Sequence, residues 1–306
     1  MNKKGLAITY IIKAFPLNYD EGYGNVSIAK KVHRGSGETY LFTSRQALRY
    51  SLVNWLVEHK FWEFATLSSK EGVIQYDPRS LEREFPPEAD LFGYMITGGR
   101  GRQAKTRSAV AKLTHLISLE PWYGDQELLT NKNFADRLGK EGPDMANIET
   151  GYGYYKYTLS VDLDKVGEDS NFSHSLPVEE RIKRVCDLIE ATKFLYRDIR
   201  GRREDLKPMF VIGGVYHIKS PFFHNAVGLN PKGSKFSINW EAIKQVLDVK
   251  YKFNNEEIIV KNLTSIGIQK GEFLDDLPDD LQIEEKSPFE ALEEIKKKVR
   301  DAFREE

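Results

Sequence analysis

Three stretches of this 306-residue chain combine residue types able to hold a polyanion. The first is Gly98-Gly99-Arg100-Gly101-Arg102-Gln103-Ala104-Lys105-Thr106-Arg107, with four cations and no acid in ten residues. Glycine lets backbone N–H groups approach an anion, and the cations neutralise phosphate. The GxxxxGK[ST] spacing of a P-loop and the dinucleotide fingerprint are both absent. A solvated loop is the other reading of this segment. The second stretch holds Arg45 and Arg49, four residues apart on a helix that Thr43 or Ser44 can cap. Two cations on one face repel, and cations in a first turn oppose the helix dipole. A bound polyanion removes both costs and can use the free N–H groups of that turn. Arginines also begin helices for no such reason. Lys30, Lys31, His33 and Arg34 lie just upstream, where a surface strand would tolerate them too. In the third stretch Lys219, His224, Lys232 and Lys235 interleave with Phe222 and Phe223 in a Gly/Pro/Asn-rich loop. Cations for phosphates and rings for stacking suit single-stranded nucleic acid; paired phenylalanines equally suit a core. Arg197, Arg200, Arg202 and Arg203 cluster at the predicted end of a long helix, where cations favour the dipole.

Enzyme chemistry is harder to assemble. The six histidines, at 33, 59, 115, 174, 217 and 224, show no HExxH or other metal-ligand spacing. No GxSxG elbow occurs, and Cys186 falls mid-helix in an amphipathic pattern. Asp162 and Asp164 flank one core residue at a strand end, and Asp279-Asp280 reads as surface charge. The expectation is a protein without metal, cofactor or catalytic centre.

The elements that must position these residues are legible from periodicity. Leu6, Ile8, Tyr10 and Ile12 alternate in a first strand. A Gly-rich loop, a short strand near 26–32 and Tyr40-Leu41-Phe42 follow. Leu48, Leu52, Trp55 and Leu56 then recur at helical spacing. Residues 58–90 lack a period and read as an irregular insertion, and 120–153 read as a loop-rich excursion. A strand returns with Tyr155, Tyr157, Leu159, Val161 and Leu163. The strongest helical stripe runs over 177–199, and 209–216 form a buried strand interrupted by glycines. Ser287-Pro288-Phe289-Glu290 is a capping box opening a last helix over 287–304. The pattern predicts one α+β domain across 1–306, with a ferredoxin-like core and insertions.

Composition sets the wider limits. Forty-five basic and 46 acidic residues nearly cancel, yet residues 254–306 hold 15 acids against 8 bases, leaving 37 bases and 31 acids before them. Overall neutrality therefore does not exclude a locally basic groove. One cysteine excludes a disulfide scaffold. No apolar run approaches the ~18–20 residues of a membrane span, and Met1-Asn2-Lys3-Lys4 leads into a strand without a signal-peptide core. A soluble, cytoplasmic protein without a membrane partner is expected.

Several segments, in this order and spacing, resemble one family. They are Ile8-Thr9-Tyr10-Ile11, Asn18-Tyr19-Asp20-Glu21-Gly22, Gly24-Asn25-Val26, Lys30-Lys31, Thr43-Ser44-Arg45-Gln46-Ala47-Leu48-Arg49-Tyr50, Asp90-Leu91-Phe92-Gly93 and Arg107-Ser108-Ala109-Val110. The chain resembles the DevR-type CRISPR-associated autoregulators of the RAMP superfamily, the repeated backbone subunits of the type I-B Cascade complex. The resemblance covers about residues 5–276. It implies a modified RRM-like palm with finger-like insertions and a thumb from the 120–153 excursion. It also implies non-catalytic, sequence-independent binding of CRISPR RNA, which presents the guide for base pairing with target DNA. Copies of the chain along the RNA and other Cascade subunits are the implied protein partners. The family's phosphate contacts fall on Gln46 and Arg49, with Ser44 and Arg45 adjacent, and on Lys30 and Lys31. Arg100, Arg102, Lys105 and Arg107 are expected along the same groove, and Lys219, Lys232 and Lys235 complete the expected RNA-binding set. Related type III subunits cut RNA with an aspartate in the loop after the first strand, where Asp20 lies here, so metal-dependent ribonuclease activity is the alternative. A DNA-binding autoregulator would want a helix-turn-helix, and none is legible.

Overall fold

The computed structural model describes residues 4–70, 72–97, 103–274 and 277–305. At its centre lies strand β1 (Gly5–Ala14), which is rich in the β-branched and aromatic residues that suit a pleated surface. Its even-numbered residues, Leu6 to Ala14, enter one core, while Ala7 and Ile11 enter another on the opposite face. The predicted alternation holds, and the strand is buried on both sides.

Seven further strands complete the sheet: β2 (Lys31–His33), β3 (Thr39–Thr43), β4 (Ala111–Leu113), β5 (Leu116–Ser118), β6 (Gly153–Asp162), β7 (Phe210–Tyr216) and β8 (Thr264–Ile268). Their order is β8-β7-β1-β6-β5-β3-β2, with β4 also on β6, and every pairing is antiparallel. The glycines of β7 do not interrupt it, since all seven residues are buried. Gly213 faces the Ala7 carbonyl so closely that no Cβ would fit, which is why the strand needs glycine there.

Three helices, α1 (Arg45–Glu58), α2 (Val178–Lys193) and α3 (Pro288–Arg304), cover one face. Leu52 and Leu56 of α1 are wholly buried, each contributing on the order of 1.5–3 kcal/mol. The capping box that opens α3 is present: the Ser287 N–H donates to Glu290 Oε2 at 2.8 Å, and the Glu290 N–H donates back to Ser287 Oγ. A C-terminal layer, with Phe223, Val227, Ile243, Leu247 and Phe273, covers Ile11, Phe210 and Ile268 on the other face. The result is a mixed α/β architecture around an antiparallel sheet. Among the described residues no helix is long and apolar enough to cross a membrane.

Two segments differ from the periodicity reading. The helical stripe over 177–199 ends at Lys193, and Tyr196–Ile199 pairs with Arg202–Asp205 as a hairpin. Arg200 and Gly201, both at positive φ, form its turn. The arginine cluster thus decorates a hairpin instead of neutralising a helix end. Arg197 bonds to the carbonyls of Leu17 and Ala47 and to Ser51 Oγ, tying the hairpin to α1. In the stretch expected to be irregular, Leu67–Lys70 pairs with Val73–Tyr76, followed by helices Pro78–Arg83 and Pro87–Phe92. The 120–153 excursion contains strands Gln126–Thr130 and Met145–Glu149 flanking a helix, Lys132–Leu138.

Candidate nucleic-acid interface

Strand β3 delivers the chain to α1, whose first turn is capped by two side chains, Ser44 and His115. Ser44 is the cap: its Oγ accepts the Ala47 N–H at 3.2 Å and a bond from Asn18 Nδ2 at 3.1 Å. The Arg45 N–H donates to His115 Nδ1 at 3.1 Å. The intrahelical bonds and these caps leave few of the free N–H groups that the sequence reading counted on, so an anion here would meet mainly side chains. Those side chains frame a cleft of about 240 Å³ between α1 and β4, with Arg45, Gln46 and Arg49 on one side and Ala111 and Lys112 on the other. Arg45 and Gln46 are exposed. Arg49 is held further in, with its guanidinium over Phe92, and it donates to Tyr76 Oη at 2.8 Å and Glu88 Oε1 at 3.0 Å.

His115 reaches α1 because the sheet is bulged beside it. Leu113 pairs with Leu159 and Ile117 with Lys156, so residues 114–116 face only Tyr157 and Thr158. Such an extra residue re-aims a side chain. Thr114 repairs the ladder, accepting the Thr158 N–H on its Oγ1 at 2.9 Å. The His115 ring stands 5.6 Å from that of Phe42, at 81° to it.

Phe42 belongs to a row crossing six strands of the sheet. Ile268, Phe210, Ile11, Lys156, Ile117 and Phe42 are successive cross-strand partners and so share one face. The C-terminal layer covers the first three. It stops at Lys156, whose Nζ donates to the carbonyls of His224 and Val227 at 2.7 and 2.8 Å. Burial, reinforced by Arg34, brings the Lys156 pKa down to about 8. Beyond it the face is open. Ile117 and Phe42 are partly exposed, and Arg34 lies 3.8 Å over the ring of Tyr40. Cations, rings and a histidine thus line the rim that leads into the α1 cleft.

Of the residues singled out from sequence, Ser44, Arg45, Gln46 and Arg49 come together here. Lys30 pairs with Asp20 at 2.9 Å. Lys31 lies on the reverse face, bonded to Glu149 at 2.6 Å and 4.1 Å from the Trp122 ring centre. Lys105 donates to the Asn171 carbonyl at 2.7 Å and sits over Phe172. Arg107 is turned inward, its guanidinium bonded to the wholly buried Asp90 at 2.6 Å, where Arg184 provides a second cation at 2.8 Å. Gly93, at φ 75°, makes that fold-back possible, because a Cβ there would strike the backbone of residues 107–109. The Asp90–Gly93 and Arg107–Val110 segments are therefore two sides of one buried charge cluster. Lys219 is paired with Asp164. Lys232 and Lys235 flank the turn of the hairpin Leu229–Lys232/Lys235–Ile238. Phe223 is core and Phe222 packs on it, so the aromatics of that loop face inward. Arg100 and Arg102 lie outside the described residues.

Sequence reasoning missed Phe42, Lys112, His115 and Lys156. Alternation within β3 could have flagged Phe42, but a bulge carries no periodic signal, so His115 stayed invisible. Asp20 is exposed in its loop and paired with Lys30. Among the described residues no three His, Cys, Asp or Glu side chains are grouped to hold a metal.

The family model described as CRISPR-associated negative auto-regulator DevR/Csa2 matches residues 6–232. No curated protein matches the sequence. Two similar solved chains come from a CRISPR RNA-guided surveillance complex, one in a pre-nicking state. That pre-nicking chain superposes with a TM-score of 0.62 at 11% identity, covering 97% of this chain and 100% of its own. The other gives 0.56 at 13% identity, covering 97% and 99%. At such identities the likeness is one of fold.

Proposed function

The chain belongs to the DevR/Csa2 family of CRISPR-associated proteins, and from that premise we propose that it is a non-catalytic subunit of a type I-B Cascade surveillance complex in the cytoplasm. Copies of it bind CRISPR RNA side by side through its backbone, leaving the bases to pair with target DNA. The neighbour order β7-β1-β6-β4, with α1 and α2 as the connecting helices, supports a ferredoxin-like palm of the RRM type. The projecting 126–149 hairpin fits a thumb.

One observation carries the RNA reading: the open half of the sheet face, with Arg34, Phe42 and His115, runs into a cleft walled by Arg45, Gln46, Arg49 and Lys112. Cations beside rings match the needs of a single strand held without sequence readout. The test is to purify the protein, sequence the RNA that accompanies it, and titrate single-stranded RNA at several salt concentrations. CRISPR-derived or heterogeneous RNA in multimeric particles, intact and bound with strong salt dependence, is the expected result. A monomer indifferent to RNA would overturn the proposal. RNA cut in a divalent-metal-dependent way that Asp20→Ala abolishes would replace it with a ribonuclease.

A further inference from the structure

Resting on that RNA reading, we infer that His115 reads the ribose, its Nε2–H donating to a 2′-hydroxyl oxygen so that the open face prefers RNA to DNA. Three observations lead there. The His115 Nδ1 accepts the Arg45 N–H, so the ring N–H left for a ligand is on Nε2. Arg45 already flanks the cleft with charge for phosphates, and Lys112 opposite it is paired with Asp162 at 2.7 Å. An Nε2–H held in place by that contact suits a hydroxyl acceptor, and the 2′-hydroxyl is what separates RNA from DNA. The bulge at 114–116 turns this ring out of the ladder into the open, where it makes a near-perpendicular corner with Phe42. One wall of that corner can carry a base or sugar while the other presents the N–H.

The test compares a single-stranded RNA with the uracil-containing DNA of the same sequence, using full-length protein freed of nucleic acid. Wild type should favour RNA, and His115→Ala should remove about three- to ten-fold of that preference, as one hydrogen bond is worth, with a clearly larger loss for RNA than for DNA. Two further variants separate reading from capping. Gln can place a donor where Nε2 lies, whereas Asn can place an acceptor where Nδ1 lies. His115→Gln should keep the preference and His115→Asn should lose it. If Asn rescues and Gln does not, His115 acts only by positioning α1, and the inference fails. Equal losses for RNA and DNA that deepen as pH falls would make it a phosphate ligand, which also overturns the inference while leaving RNA binding intact. A wild-type protein that binds neither polymer would instead defeat the RNA proposal itself.

Discussion

The two halves of one sheet face obey opposite rules. Ile268, Phe210 and Ile11 lie under the C-terminal layer, whereas Ile117 and Phe42, in the same row, have no such cover. Lys156 marks the boundary, with its aliphatic stem in the sheet and its ammonium tied to the rim of the layer. The same alternating strand pattern therefore serves packing on one side and exposure on the other. The difference comes from what the C-terminal layer covers, not from the strands themselves.

The sharpest way to break this comparison is to remove one ring from each half. Phe210→Ala should cost about 3–5 kcal/mol of stability, read as a lower urea midpoint. Phe42→Ala should cost under about 1 kcal/mol of stability, yet weaken RNA binding by about 1–3 kcal/mol if a base stacks there. Similar stability losses for both would erase the distinction. The inward cations provide a second contrast. Arg107→Ala leaves Asp90 short of one partner, and breaking such a buried pair costs about 3–5 kcal/mol; the salt slope of RNA binding should not change. Arg45→Ala should do the reverse, sparing stability while lowering the salt slope by about one and weakening all sequences alike.

Lys156 sharpens the boundary through pH. Its pKa in the fold, about 8, lies below the ordinary 10.5. Between those values the unfolded chain binds the proton and the folded chain does not, so the stability this residue allows rises with pH across that window and is absent below it. Lys156→Met should flatten that part of a urea-midpoint profile. The smallest effect is expected from Lys31→Met. Its ammonium lies between Glu149 and Trp122 on the reverse face, so a modest loss of stability with unchanged RNA affinity is predicted.

What could be read from sequence tracks how local its cause is. β1, β6, β7, α1 and the capping box of α3 were legible because each depends on a short period or a cap, and Ser44 to Arg49 of the candidate site lie on one of them. The length of α2 was overread because Tyr196 and Ile199 continue its stripe by chance, while Arg200-Gly201 turns the chain. Arg107 looked like a groove cation because charge in a sequence does not say which way it faces; the fully buried Asp90, some seventeen positions earlier, is what turns it inward. The reverse-facing Lys31 has the same cause, with Glu149 more than a hundred residues away. His115 depends on a bulge defined by two strand registers, and Lys156 on a layer contributed by a later segment.

Ultraviolet crosslinking of the RNA-bound protein, with the modified residues located by mass spectrometry, tests the central claim most directly. The account predicts crosslinks in Thr39–Thr43, in the first turns of α1 and in residues 111–118, with none in Phe210–Tyr216. Crosslinks confined to the 126–149 excursion or to the hairpin between Lys232 and Lys235, with the open half of the sheet unmarked, would contradict it.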